Sequence, residues 1–202
     1  MTNYLNDMNM KKLFIFLVVC LSSLGMNAQN NQRYYAEEGE KSGTFTLPES
    51  EKYLLLKFDF SNTVFEDKYN EADWALLNGK ESWEEAKQDA LGRIVELMNR
   101  EMTKTRIIMV LDKMGVSGNS GIKPNYTLFI TPISYFKNGK NKSNYVIKNN
   151  ETGEILGIIE TKGSGGHFGS LGNLLGDGFE KSAPYIALKI AKYNKIKKKE
   201  KE

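Results

Sequence analysis

One histidine, His167, stands between two serines in the string Gly163-Ser164-Gly165-Gly166-His167-Phe168-Gly169-Ser170. A serine nucleophile needs a histidine base that is itself oriented by an acid, all three held in fixed geometry. A run of glycines supplies no such geometry, so no catalytic residue is assigned here. A phosphate cradle fails as well. No Gly-Lys-Ser/Thr closes the loop, and Phe168 occupies the place of the third glycine in the dinucleotide fingerprint. With one histidine and one cysteine in the chain, a zinc site would have to take its other ligands from carboxylates, an uncommon set. What the segment does offer is apolar side chains on a glycine-rich backbone. His167, Phe168, Leu171, Leu174 and Leu175 are therefore the candidate partner-contact loop. The alternative stays open: a connector that tucks its leucines under a sheet.

A second group is acidic: Asp59, Glu66, Asp67, Glu71 and Asp73. Calcium loops alternate oxygen ligands around a central glycine, and that pattern is missing. No metal and no cofactor is expected. Glycoside hydrolysis uses two carboxylates whose spacing is spatial, so a hydrolase remains an alternative that sequence does not test. A small-ligand binder using Tyr34, Tyr35, Trp74 or Tyr135 as exposed aromatics is a third reading.

These groups sit downstream of an export signal. Met10-Lys11-Lys12 precedes the apolar run Leu13-Phe14-Ile15-Phe16-Leu17-Val18-Val19-Cys20-Leu21, and small and polar residues lead to Asn27-Ala28-Gln29. A positive start, an apolar stretch of under about 15 residues and a small-residue exit form a secretory signal peptide, expected to be cut after Ala28. The run falls short of the about 20 apolar residues a membrane span needs. Residues 1–9 read as an upstream extension. Cys20 lies inside the apolar run behind the bulky Val19, which argues against a lipoprotein acceptor and leaves the mature chain without a thiol. Charge is nearly balanced, 28 basic against 25 acidic residues, and says little; export is what makes nucleic acid an unexpected partner. The lysine-rich end, with 198–202 as a charged tail, suits a helix C-terminus and could also touch an anionic membrane.

The elements that must position these residues follow from periodicity. Residues 29–50 are polar and glycine-rich and read as a flexible leader, with a short strand at 44–47. Residues 52–60 read as a buried first strand. Ser82-Trp83-Glu84-Glu85 has the form of a capping box, opening a helix over 82–102 whose apolar stripe includes Trp83, Ala86, Ala90, Ile94 and Met98. Strands are expected at 106–111, at 126–136 with a bulge or an edge at Pro132, at 143–148 and at 154–160. Asn138-Gly139 is a two-residue hairpin signal. Residues 163–178 read as a low-complexity glycine segment, and Ser182 as the cap of a second helix with Pro184 in its first turn. The expected fold is α+β: a mixed, mainly antiparallel sheet of about five strands with two helices on one face, forming one domain over 51–197.

The strand ending in Phe58-Asp59-Phe60-Ser61, the helix of 82–102, the turn Thr152-Gly153-Glu154-Ile155 and the alanine-rich last helix (183–191) together resemble one group of bacterial envelope proteins. That group holds the curli-secretion channel subunit, the lipoprotein activators of penicillin-binding proteins and the N-terminal domain of the Tol-system translocation protein. Its turn carries an aspartate where this chain has Asn149 or Asn150, and its middle helix has no counterpart here. The resemblance spans most of 52–196 and implies interaction in place of catalysis. The expectation is an exported, periplasmic or envelope-associated module that binds a protein or cell-wall component and is not an enzyme. Self-association remains open.

Overall fold

The computed structural model describes residues 37–111 and 123–195, with only the backbone described for 37–40. They belong to one compact unit, 36–202. Ala28, Cys20 and the export segment, with Tyr34, Tyr35 and the tail 198–202, lie outside the described residues.

The strands run as β1 (Glu37–Gly43), β2 (Tyr53–Phe58), β3 (Val64–Phe65), β4 (Ile108–Val110), β5 (Tyr126–Tyr135), β6 (Asn141–Asn149) and β7 (Ile155–Gly163). Between β3 and β4 come α1 (Glu71–Asn78) and α2 (Lys80–Glu101). After β7 come α3 (Leu171–Phe179) and α4 (Ser182–Tyr193). The fold is α+β around a mixed seven-stranded sheet ordered β1-β7-β6-β5-β2-β4, with β3 beside the end of β5. Among the described residues, seven strands and four helices replace the expected five and two. The sheet is mixed as expected, and its longest ladders are antiparallel. Three pairings are antiparallel (β1·β7, β5·β6, β6·β7) and three parallel (β2·β4, β2·β5, β3·β5).

One face of the sheet carries the core. Leu56, Leu128, Ile130, Tyr145, Ile147 and Ile159 alternate inward along β2, β5, β6 and β7. The α2 stripe of Trp83, Ala86, Ala90, Ile94 and Met98 lies on them, as its 3.6-residue period requires. Ala183, Ile186, Ala187 and Ile190 of α4 complete the layer. The bulge at Pro132 is present, as a register shift between Pro132 and Ser134 in the β5–β6 ladder. Pro132 does not mark an edge, because β5 has neighbours on both sides. The Asn138-Gly139 turn is a hairpin with a three-residue loop, closed by the Phe136 amide on the Lys140 carbonyl (2.9 Å), with Gly139 at φ 87°.

Several boundaries differ from the sequence reading for local reasons. Residues 37–43 belong to the sheet, not to a flexible leader, and the short strand expected at 44–47 is not formed. Glu37–Gly43 pairs with β7, and Phe45 and Leu47 are buried in the core. Alternation is weak there because β1 is an edge strand built from charged residues and glycines, a composition that protects an edge. Ser82 does not cap α2. The helix starts two residues earlier at Lys80 behind Gly79, and no side chain caps it. Ser182 does not cap α4 either; its buried hydroxyl lies 2.9 Å from the Tyr145 hydroxyl. At β4 the strand shrinks to three residues. The Asn99 carboxamide takes both outward-facing groups of Met109, accepting from its amide at 2.8 Å and donating to its carbonyl at 3.0 Å.

Candidate functional site

The glycine segment is where prediction and structure part most. It is not low-complexity loop throughout: from Leu171 it is the helix α3, capped by the Ser170 hydroxyl, which accepts from the Asn173 amide. Its glycines are packing residues. A methyl group on Gly139 would meet the Leu174 carbonyl at 1.9 Å, and one on Gly163 would meet the Gly178 carbonyl at 2.0 Å. Backbone thus lies directly on backbone, seating α3 on the tip of the β5–β6 hairpin. Asn141 ties the two together, donating to the Gly139 carbonyl (2.9 Å) and the Gly178 carbonyl (3.1 Å). On the other side, Arg93 of α2 holds Asp177 at 2.9 Å.

The five residues read as one contact loop therefore divide. Leu175 is fully buried and Leu171 and Leu174 are half-buried, so the leucines serve the fold. His167 and Phe168 point outward, and Phe168 is 91% exposed. The short loop that carries them is pinned at its base by the Gly166 amide, which donates to the Asn138 carbonyl at 2.8 Å. The aromatic ring thus stands in water two residues beyond a backbone anchor.

The acidic residues separate into local duties. Asp59 accepts from the Ser61 hydroxyl at 2.6 Å, and Asp73 from the Asn70 carboxamide at 2.8 Å. Glu66 accepts from the Lys137 amide, and Asp67 sits at φ 60°. Glu71 accepts from the Trp83 indole at 2.9 Å and from Lys87 at 2.8 Å, while Glu84 meets the same lysine at 2.8 Å. Burial pulls the Lys87 ammonium down, but its bonds to the two carboxylates outweigh that, and its pKa ends above the usual value. Among the described residues no three His, Cys, Asp or Glu side chains converge as metal ligands.

Trp74 and Tyr135 are not exposed ligand-binding aromatics. Both are buried with Phe60, Phe65 and Trp83 in one ring cluster, centroids 4.9 to 6.3 Å apart. They line the floor of the fold because α1, missed in the polar stretch after Glu66, folds over them. Its signal was present: Asn70 accepts from the Asp73 amide as a cap, and Gly79 ends the helix. Beside α1 lies an open groove of about 330 Å³, lined by Ala72, Ala75, Leu76, Trp83, Glu84 and Lys87. Of these, Leu76 is 75% exposed.

No family model and no curated protein matches the chain. Among solved structures it is similar to the PelC dodecamer from Paraburkholderia phytofirmans. The TM-score is 0.40 at 8% identity, covering 77% of this chain and 98% of that one. A single-residue variant of the same PelC gives 0.40 at 9% identity, covering 77% and 99%. Among the described residues no helix is long and apolar enough to cross a membrane.

Proposed function

We propose that this protein is an exported, envelope-associated module that works by binding a protein or cell-wall partner, without catalysis of its own. The observation that carries the reading is Phe168. A large apolar side chain left 91% in water by a pinned loop is stabilised by nothing within its own fold. A contact with another molecule removes that area from water, worth about 25 cal/mol per Å². The export-type sequence before Ala28 supports an envelope setting.

A photoreactive amino acid placed at position 168 tests this in intact cells, with position 188 as control, since Leu188 is also exposed but belongs to a helix surface. A discrete adduct from 168 and none from 188 is the expected pattern. Equal, diffuse labelling from both positions contradicts the proposal.

A further inference from the structure

Phe168 and the α1 groove make a knob and a hole on one chain. They lie on the two flanks of α2. Gly172 and Gly176 of α3 sit against Ala86, Asp89 and Arg93, whereas α1 engages Trp83, Glu84 and Lys87. At about 100° per residue these two sets face different ways around the helix. The knob and the hole also share one end of the sheet. The loop leaves the C-terminal end of β7, α1 follows the C-terminal end of β2 and β3, and β7, β5 and β2 all run in the same direction.

Charge separates the same two flanks. The hairpin tip under the loop carries Lys137 and Lys140, and Lys162 precedes the last residue of β7; the acids beside them are Glu66, which takes the Lys137 amide, and Asp177, which lies against Gly166 and is paired with Arg93, itself a further cation. The groove flank, 71–87, holds Glu71, Asp73, Glu81, Glu84 and Glu85 against Lys80 and Lys87. A basic edge with an apolar knob thus matches an acidic edge with an apolar groove. The size agrees: about 150 Å³ is enough for a benzene ring, and the groove exceeds that.

We propose that the partner of this site is a second copy of the chain, with Phe168 of one seated in the α1–α2 groove of the next. This rests on the reading of Phe168 as a contact residue. Because knob and hole occupy different flanks, the contact is head-to-tail, and repetition gives a ring or an open row, not a two-fold dimer.

Two variants with complementary defects test it: Phe168→Asp removes the knob, and Ala72→Trp fills the hole. Wild-type protein is expected to exceed one chain's mass by light scattering, and each variant alone to have the mass of one chain. An equal mixture is expected to give two chains, because one intact knob then meets one intact hole. Raising the salt should dissociate the wild type. Matching circular-dichroism spectra verify folding, and Leu76→Asp serves as a second groove variant. A wild type of one-chain mass, variants that keep the wild-type mass, or a mixture that stays at one chain would each overturn the proposal. If the mixture stays at one chain while position 168 crosslinks to a different protein, self-association fails and the partner reading stands.

Discussion

Tyr135 carries its hydroxyl into a cluster of aromatic rings where no hydrogen-bond partner meets it. A buried, unpaired hydroxyl costs its desolvation and returns nothing. Tyr135→Phe is expected to raise stability by about 1 kcal/mol, read as a higher urea midpoint with an unchanged slope; a lower midpoint would reveal a partner. Asn194 is the opposite case. Buried at the end of α4, its side chain accepts from the Leu47 amide (2.9 Å) and donates to the carbonyls of Phe45 and Ile190 (2.6 and 2.8 Å). Asn194→Ala strands two of those backbone groups in the core, at a cost of about 3 kcal/mol. Its first sign should be faster amide exchange at Leu47, and unaltered exchange there would mean that the clasp is not what holds residues 44–47. None of this was legible in the sequence, because both roles depend on neighbours more than 50 positions away.

Helices and strands with strong periodicity were readable one at a time: α2, β5, β6 and the hairpin between them all follow from spacing and turn residues. What failed were elements whose composition serves contact more than periodicity. β1 looked like a leader because an edge strand needs only one neighbour, and α3 looked like a loop because its glycines exist to let backbones meet. The glycines themselves test this. Gly163→Ala puts a methyl group 2.0 Å from the Gly178 carbonyl and should cost about 2 kcal/mol or more as α3 lifts. Gly92→Ala meets nothing within 4 Å in the middle of α2 and should gain roughly 0.5–1 kcal/mol from propensity alone. Thermal melts of the two variants should move in opposite directions. If both rise, the glycine seat of α3 is not structural.

Across the whole molecule, alkaline pH is the stress to which this fold is exposed. Burial pushes the Tyr135 and Tyr145 hydroxyl pKa values well above the usual tyrosine range, helped at Tyr135 by the charge of Glu66 and opposed at Tyr145 by its bond with Ser182. Their unfolded counterparts ionise near pH 10. The folded state therefore keeps its full stability with respect to these groups below about pH 10, and loses stability as pH climbs toward the folded values. Lys87, raised in the same sense, adds to the loss above about pH 10.4. Urea midpoints measured against pH should fall in that range, and Tyr145→Phe should make the fall shallower; an equally steep fall would assign it elsewhere.

The function proposed at this scale rests on one exposed ring. Phe168 lies outside the core, so Phe168→Ser should leave the fold of the single chain intact, read as an unchanged circular-dichroism spectrum. The most direct measurement is sedimentation of this variant beside the wild type in gently solubilised envelope extracts. The expected result is wild type migrating in an assembly heavier than one chain and the variant migrating alone. Two identical profiles would contradict the assignment of Phe168 as the contact through which this protein works.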